Sequence, residues 1–319
     1  MTRVLVTGAS GFVGSVLCEL LACSGYVVRA AGRAVRPASG ASAEHVLVGD
    51  LGGDPRWQEA LAGVDIVVHL AARAHILNDP PANASLYARA NALGTSNLAQ
   101  QAAAAGVRQF VFLSSVKVNG EATTLRAFTS QDEPQPRDAY GVSKWQGEQF
   151  AMAIGQQSGM RVAIIRSPLI YGSGVKANFF RLMRWVDEEK PLPFGAVKNR
   201  RSLVSVWNLC DLILRVVAGP TPAVGAWMVS DGRDLSTPEL VRLLAAAMGR
   251  RARLFSIPVG MLRFLAAAAA QRAQLARLCG SLVVDISSTH AELGWSPPLS
   301  VEEGLARTAR WYLSEAKNA

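Results

Sequence analysis

The sequence predicts an α/β fold with a doubly wound parallel sheet and a smaller C-terminal lobe. Over the first 170 residues, short apolar segments alternate with helical patterns. Most of the apolar segments are near-continuous runs of Val, Ile and Leu, as expected for parallel strands covered on both faces. After Pro168 this alternation stops and Pro and Gly become frequent. We therefore expect a dinucleotide-binding domain at 1–170 and a substrate lobe at 171–319, from which the chain can cross back to the sheet.

The elements follow from these patterns and from the Gly, Pro and capping residues between them. The predicted strands are Arg3–Thr7, Val27–Ala31, His45–Val48, Ile66–Leu70, Gln109–Leu113 and Arg161–Arg166. The predicted helices are Gly14–Ser24, Arg56–Ala62, Ser85–Ala105, Tyr140–Ser158, Asn178–Glu188, Trp207–Ala218, Thr237–Met248 and Val301–Ser314.

Composition indicates a globular cytoplasmic protein. Of 319 residues, 50% are hydrophobic and 18% charged, which provides material for a core and argues against disorder. The apolar run Leu265–Ala270 is far below the ~20 residues that cross a bilayer. The N terminus resembles a first strand rather than a signal peptide. The four cysteines form no CxxC motif and no cluster with His, so we expect reduced thiols and no metal site.

The net charge of +9 is unevenly distributed. Between Leu240 and Val284 there are seven arginines and no Asp or Glu. A solvated helix face is the ordinary explanation, and contact with an anionic substrate or peripheral contact with a membrane surface are the alternatives. No nucleic-acid partner is expected, because no recognised binding motif accompanies these arginines.

A glycine-rich turn near the N terminus predicts cofactor binding. The first strand leads directly into Gly8-x-x-Gly11-x-x-Gly14, which opens a helix. The glycines permit a tight turn and close backbone approach to a pyrophosphate, while the helix N terminus offers free N–H groups. This arrangement is typical of a Rossmann-like domain. The predicted contacts from this turn are Gly8, Ser10, Gly11, Phe12, Val13 and Gly14.

The end of the second strand distinguishes between cofactors. An NAD site usually places an acidic side chain there for the ribose hydroxyls. Here Gly32 is followed by Arg33, with no acid in this stretch and with Arg29 or Arg36 in support. A 2′-phosphate would suit these arginines, so NADP(H) is favoured over NAD(H).

Tyr140 and Lys144 form a candidate proton-transfer pair. At a spacing of four residues both side chains share one helix face. A nearby ammonium is expected to lower the tyrosine pKa from its usual ~10, which favours general acid–base catalysis. The order of turn and pair along the chain indicates hydride chemistry at a carbonyl or alcohol.

From Arg3 to about Leu313, these motifs together with Val67-Val-His69-Leu-Ala-Ala72 resemble the extended short-chain dehydrogenase/reductases, specifically the nucleotide-sugar epimerase/dehydratase group. The resemblance implies a nucleotide-sugar substrate, a homodimer and a catalytic serine at Ser115. It also implies that Asn91 braces the site and that His69 is structural. The further cofactor contacts that it implies are Asp50, Leu51, Leu70, Ala71 and Ala72.

The resemblance also implies substrate contacts, with some departures. Asn178 matches an asparagine near the diphosphate, and Arg201, with Arg200 second, matches an arginine that reaches the nucleotide. Asn119 stands where the family usually has a tyrosine, so we expect a substrate-facing contact to differ at this position. No arginine occupies the family's position before Leu293-Gly-Trp295, although Arg277 is close.

The identities of Val116 and Lys117 argue against one of the reactions found in this group. They stand where 4,6-dehydratases carry an Asp-Glu pair, so dehydration is not expected. The chain resembles reductases of UDP-4-keto-6-deoxy-N-acetylhexosamines, which serve surface polysaccharide synthesis. The alternative is a UDP-hexose 4-epimerase with tightly held NAD. A cofactor-binding regulator is a third class, against which the presence of both Tyr140 and Lys144 argues.

Overall fold

The computed structural model describes residues 1–33, 43–53, 55–73, 83–219, 223–258, 260–262 and 278–316. In these residues seven parallel strands form one sheet in the order β3-β2-β1-β4-β5-β6-β9. A second sheet pairs β7 with β8. The predicted fold class is confirmed: helices cover both faces of a Rossmann-like parallel sheet.

Most elements begin and end within a few residues of the predicted bounds. The strands are β1 Arg3–Thr7, β2 Val27–Gly32, β3 Ala43–Leu47, β4 Ile66–His69, β5 Gln109–Ser115, β6 Arg161–Ser167, β7 Leu169–Tyr171, β8 Leu203–Ser205 and β9 Gly225–Met228. The helices are α1 Phe12–Cys23, α2 Trp57–Leu61, α3 Ala84–Tyr87, α4 Gly94–Ala104, α5 Ala139–Ser158, α6 Ala177–Asp187, α7 Val206–Ala218, α8 Thr237–Ala247, α9 Ser287–Leu293 and α10 Val301–Trp311. A π-helical segment, Ala88–Leu93, joins α3 to α4.

The sheet separates two apolar cores. On one face α1 and α7 pack over the strands, with Leu17 and Leu209 among the residues that they bury. On the other face α2, α4 and α5 bury Trp57, Leu98 and Ala151. The strands are apolar toward both faces because each face is covered, as parallel sheets require.

The chain returns to the sheet from the second half of the sequence. Strand β9 pairs with β6, with Ile164 opposite Ala226. The sequence pattern did not predict β7, β8 or β9, because segments of three or four residues carry too little periodicity to be recognised.

A buried hydrogen-bond cluster at Asp231 connects the two-stranded sheet to the seven-stranded sheet. The Tyr171 hydroxyl donates to this carboxylate at 2.7 Å, the Ser205 amide at 2.9 Å and the Asn208 side chain at 2.6 Å. Burial raises the pKa of Tyr171 well above its usual range. The cluster therefore joins β7, β8 and the start of α7 to the segment that follows β9.

Part of the arginine-rich segment, Val259 and residues 263–277, lies outside the described residues. In the described part, Arg250 pairs with Asp187 at 2.9 Å, and the Arg251 amide donates to Glu189. Asp187, the last residue of α6, thus offsets the charge of one of these arginines. Within the described portions of the chain, no helix has both the length and the apolarity needed to span a membrane.

Candidate active site

A cavity of about 670 Å³ opens at the carboxyl ends of β1, β2 and β4. This is the edge at which parallel α/β sheets bind ligands. The predicted cofactor residues that line it are Gly8, Ser10, Gly11, Arg33, Asp50, Leu51, Leu70, Ala71 and Ala72. Phe12, Val13 and Gly14 form the first turn of α1 behind this wall. The structure therefore brings residues from four separate loops to one pocket.

The glycine turn has the geometry of a phosphate cradle. Gly8 has a φ of 69°, and a Cβ there would lie 2.9 Å from the Ala71 amide nitrogen. A Cβ on Gly14 would lie only 2.2 Å from the Gly8 carbonyl oxygen. No side chain among the described residues caps α1 at Gly11, so its first N–H groups are available to an anion. These features fit the diphosphate of a dinucleotide.

Positive charge surrounds the cavity. Three of the described residues that line it are basic: Arg33, Arg73 and Arg89. The acidic residue of the described lining is Asp50. Arg89 donates to the Gly52 carbonyl at 2.6 Å, which brings it from the α3–α4 region onto the turn after Asp50. Sequence reasoning missed Arg73 and Arg89, because no local motif marks them. Only the folding of this helical region over the turn brings them to the pocket.

Arg29 is engaged elsewhere. Its Nε donates to Glu44 at 2.9 Å, and its Nη1 donates to the carbonyls of Ala60 and Ala62 at 3.0 and 2.8 Å. These bonds hold β2 against β3 and the end of α2. Arg29 therefore cannot support Arg33 at a ribose phosphate, and Arg36 lies outside the described residues.

Ser115, Tyr140 and Lys144 come together beside this cavity. Ser115 is the last residue of β5, and Tyr140 and Lys144 lie in the first turns of α5. The Ser115 hydroxyl donates a hydrogen bond to the Tyr140 oxygen. Lys144 is buried, with its ammonium nitrogen 4.0 Å from the centre of the Phe112 ring. The serine and tyrosine hydroxyls are thus linked, and the amine lies one turn further along the same face of α5.

Asp138 sets the start of the helix that carries this pair. Its carboxylate caps α5 by accepting from the Gly141 amide at 2.7 Å. The same carboxylate forms an ion pair with Lys117, which also bonds Glu121 at 3.0 Å. The loop after Ser115 is thereby tied to the N terminus of α5, which restricts movement between the two elements.

The expected lowering of the tyrosine pKa is wrong for this structure. Desolvation of the hydroxyl raises the pKa of Tyr140 to about 12, although the ring is only partly buried, and the hydrogen bond from Ser115 opposes this rise. Burial lowers the pKa of Lys144 to about 7, against the opposing effect of Glu148. Because the amine carries only part of a positive charge at neutral pH, it does little to favour the phenolate.

The pKa of Lys144 predicts a pH-dependent stability. Its folded value of about 7 lies below the ordinary 10.5, so the unfolded chain binds more protons between these values. The free energy of unfolding should therefore rise with pH in that window, by at most roughly 1.4 kcal/mol per pH unit. Lys144→Met should remove this rise in urea titrations of nucleotide-free protein. The exposed Lys190→Met is the control, and a Lys144→Met curve parallel to wild type would contradict the prediction.

Asn91 braces the loop after β4. Its side chain accepts from the Arg73 amide at 2.7 Å and donates to the Arg73 carbonyl and to Ser143 Oγ, each at 3.1 Å. Arg73 in turn stacks on the Tyr87 ring, which makes a T-shaped contact with the Tyr140 ring. Asn91 therefore connects a cavity wall to the helix of Tyr140 and Lys144.

His69 is a neutral histidine whose hydrogen bonds connect secondary-structure elements. Its two ring nitrogens hydrogen-bond the hydroxyls of Thr7 and Thr95 at 2.7 and 3.1 Å. Burial, and then the charge of Lys144, lower its pKa to about 3. It thus links β1, β4 and α4 beneath the cavity.

Asn119 does not face a substrate pocket. It is buried, accepts from Arg166 at 3.1 Å and donates to the Thr129 carbonyl at 2.9 Å. The expectation of an altered substrate contact at this position is therefore wrong, since the amide holds the loop that follows Ser115.

The predicted substrate residues lie in the second half of the chain and are not among the residues that line the cavity. Asn178 is exposed in the first turn of α6 and accepts from Arg181 at 2.8 Å. Arg201 pairs with Leu235 through its backbone and donates from its side chain to the Gly280 carbonyl at 3.1 Å. Arg200 is more exposed and pairs with Asp234. Their roles stay predictions.

The fold and the Ser–Tyr–Lys arrangement at its strand ends define the class: an enzyme of the extended short-chain dehydrogenase/reductase type. The family model "NAD dependent epimerase/dehydratase family" matches residues 4–225, and the chain belongs to that family. Both the family and the enzyme class predicted from the motifs are confirmed.

The chain is similar to curated epimerases over almost its whole length. It is 42% identical over 315 residues to "UDP-glucose 4-epimerase" of Vibrio cholerae, covering 97% of this chain and 95% of that protein. It is 28% identical over 335 residues to "N-acetyl-alpha-D-glucosaminyl-diphospho-ditrans,octacis-undecaprenol 4-epimerase" of Escherichia coli O157:H7, covering 99% and 96%.

Solved structures overturn the prediction of NADP(H). MoeE5, solved with UDP-glucuronic acid and NAD, matches with a TM-score of 0.79 and 26% identity over 98% of this chain and 99% of that one. DesIV, a dTDP-glucose 4,6-dehydratase from Streptomyces venezuelae solved with NAD, matches with a TM-score of 0.80 and 25% identity over 99% and 98%. The arginine criterion failed because Arg29 binds Glu44 and the end of α2 rather than supporting Arg33.

Proposed function

We propose that this protein is a UDP-hexose 4-epimerase that holds NAD tightly. The observation that carries the proposal is the 42% identity to the Vibrio cholerae UDP-glucose 4-epimerase across 97% of the chain. The second relative is also named as a 4-epimerase, of a lipid-linked N-acetylglucosaminyl diphosphate. Both support inversion at C4 of a diphosphate-linked hexose.

The cavity supports a resident dinucleotide. Gly8, Gly11 and the uncapped start of α1 would hold its diphosphate, and Arg33, Arg73 and Arg89 would balance its charge. Bound NAD would supply the acceptor, and then the donor, of the hydride at C4 of the sugar.

The residues beside the cavity supply the proton chemistry. Tyr140, as a phenolate favoured by the positive charge of bound NAD, would take the proton of the C4 hydroxyl as this carbon is oxidised and return it to the ketone oxygen after the sugar presents its other face. Ser115 would donate to the same oxygen and stabilise charge that develops on it. Lys144 lies one turn from Tyr140 and would hold the cofactor and assist proton transfer.

Two other reactions are less well supported. The 4-ketoreductase prediction depended on exchangeable NADPH, and that premise is contradicted by the NAD complexes of related structures. Dehydration would need an acid and a base after Ser115, where Val116 is buried and Lys117 is paired with Asp138 and Glu121. An epimerase needs neither feature.

The test is interconversion of UDP-glucose and UDP-galactose without added cofactor, followed by NMR of the sugar protons. We expect the same equilibrium mixture from either side, with many turnovers per enzyme and no net reduced nucleotide. The N-acetylated pair of sugars should be run in parallel to define the substrate. Stoichiometric consumption of NADPH with a UDP-4-keto-sugar, and no epimerisation, would instead establish the reductase.

A further inference from the structure

A buried ion pair lies directly behind the Ser–Tyr–Lys trio. Glu148 and Arg166 are both almost fully buried, on α5 and β6. Arg166 Nη2 donates to Glu148 Oε2 at 2.7 Å, and its Nε donates to Oε1 at 3.1 Å. Buried pairs of this kind add little stability relative to apolar side chains of similar volume. Stability alone therefore does not account for this one.

The pair holds both elements that carry the trio. The Ser114 hydroxyl, one residue before Ser115, donates to Glu148 Oε1 at 2.5 Å. Arg166 also donates from Nη1 to Asn119 Oδ1, and so reaches the loop that follows Ser115. Strand β5 is thus bonded to α5 through Ser114, the residue before Ser115.

Glu148 also lies one helical turn beyond Lys144, so its carboxylate is on the same face of α5. The charged or titratable groups around Lys144 are Tyr140 and Glu148 on α5 and His69 on β4, with Arg166 behind Glu148 on β6. His69 is neutral. Glu148 is therefore the anion that faces the Lys144 amine.

We propose that Glu148 is a positioning residue of the active site: it fixes Ser115 relative to Tyr140 through Ser114 and Arg166, and its charge favours the ammonium form of Lys144. The proposal depends on the proposed function for its kinetic consequences. Its electrostatic consequence can be measured without substrate. The direction agrees with the pKa of Lys144, which Glu148 raises against the effect of burial.

The first experiment follows the titration of Lys144 in the holoenzyme by NMR of lysines labelled with ¹³C at Cε. The chain has six lysines, so Lys144→Met identifies the signal. Glu148→Gln should lower the titration midpoint of Lys144 by about half a pH unit or more, because the carboxylate charge is lost. Glu148→Asp keeps the charge and should leave the midpoint at the wild-type value. A purely structural residue would not separate these two variants.

The second experiment measures kcat and KM for sugar interconversion in Ser114→Ala, which leaves no buried charge unpaired. We expect kcat to fall by about fivefold or more with little change in KM, because Ser115 loses its fixed position. If Glu148→Gln does not fold, this variant decides the positioning claim.

Unchanged kcat in Ser114→Ala would overturn the positioning claim. A wild-type Lys144 midpoint in Glu148→Gln, or an equal shift in Glu148→Asp, would overturn the electrostatic claim. If wild-type protein does not interconvert the sugars, the proposed function fails, while the Lys144 titration still tests the role of Glu148.

Discussion

Tyr140→Phe is expected to lower kcat for epimerisation by about 10²–10⁴-fold, the usual contribution of a positioned general acid–base group. The substitution removes the hydroxyl that accepts from Ser115 and keeps the ring that packs edge-on against Tyr87. Affinity for NAD, measured by calorimetry, should therefore stay near wild type. We expect a lower kcat for epimerisation in a protein that folds as the wild type does.

Tyr26→Phe provides the matched control. Tyr26 directly precedes β2, so it lies at the opposite edge of the sheet from the cavity and is only partly buried. The same loss of one phenolic oxygen there should leave kcat unchanged. Wild-type kcat in Tyr140→Phe would remove Tyr140 from the mechanism, whereas equal losses in both variants would indicate a general effect on the fold.

Gly14→Ala is expected to reduce NAD affinity by more than about tenfold, with a lower thermal midpoint. The added methyl group would lie 2.2 Å from the Gly8 carbonyl oxygen and 2.7 Å from Ala9 Cα, so α1 and the turn must move apart. Since both partners are backbone atoms, no side-chain rotation relieves the contact. Displacement of α1 would carry its N–H groups away from the phosphates.

The control is Gly260→Ala, where a methyl group meets no atom of the described residues within 4 Å. It should leave nucleotide binding unchanged in the same calorimetric titration. Wild-type affinity in Gly14→Ala would show that α1 tolerates the displacement and that the close approach at Gly14 is not needed for the cofactor.

The regular part of the fold was predictable from local pattern. Strand β1 begins and ends as predicted, and the six predicted strands take their places in the parallel sheet. The glycine turn was recognisable because its residues are contiguous and depend on backbone conformation. Strand β9 escaped prediction, because its four residues become a strand only by pairing with β6.

The loop that follows Ser115 is held by contacts between residues that are distant in sequence. The Phe128 amide donates to the Val283 carbonyl at 2.8 Å, and the Asp285 amide donates to the Phe128 carbonyl at 2.8 Å. About 155 residues separate these segments, so no local signal marks the pairing. The segment around Val283 is thereby bonded to the loop that follows Ser115.

The sequence by itself determined the fold class, the family and the order of the motifs along the chain, because these depend on local periodicity and contiguous residues. The tertiary structure decided the environment of each charge. Arg29 binds Glu44, and Asn119 faces inward and binds Arg166. Desolvation of the Tyr140 hydroxyl and of the Lys144 amine shifts their pKa values in opposite directions. The reason is physical: hydrogen-bond partners and desolvation are properties of neighbours in space, and those neighbours come from distant parts of the chain.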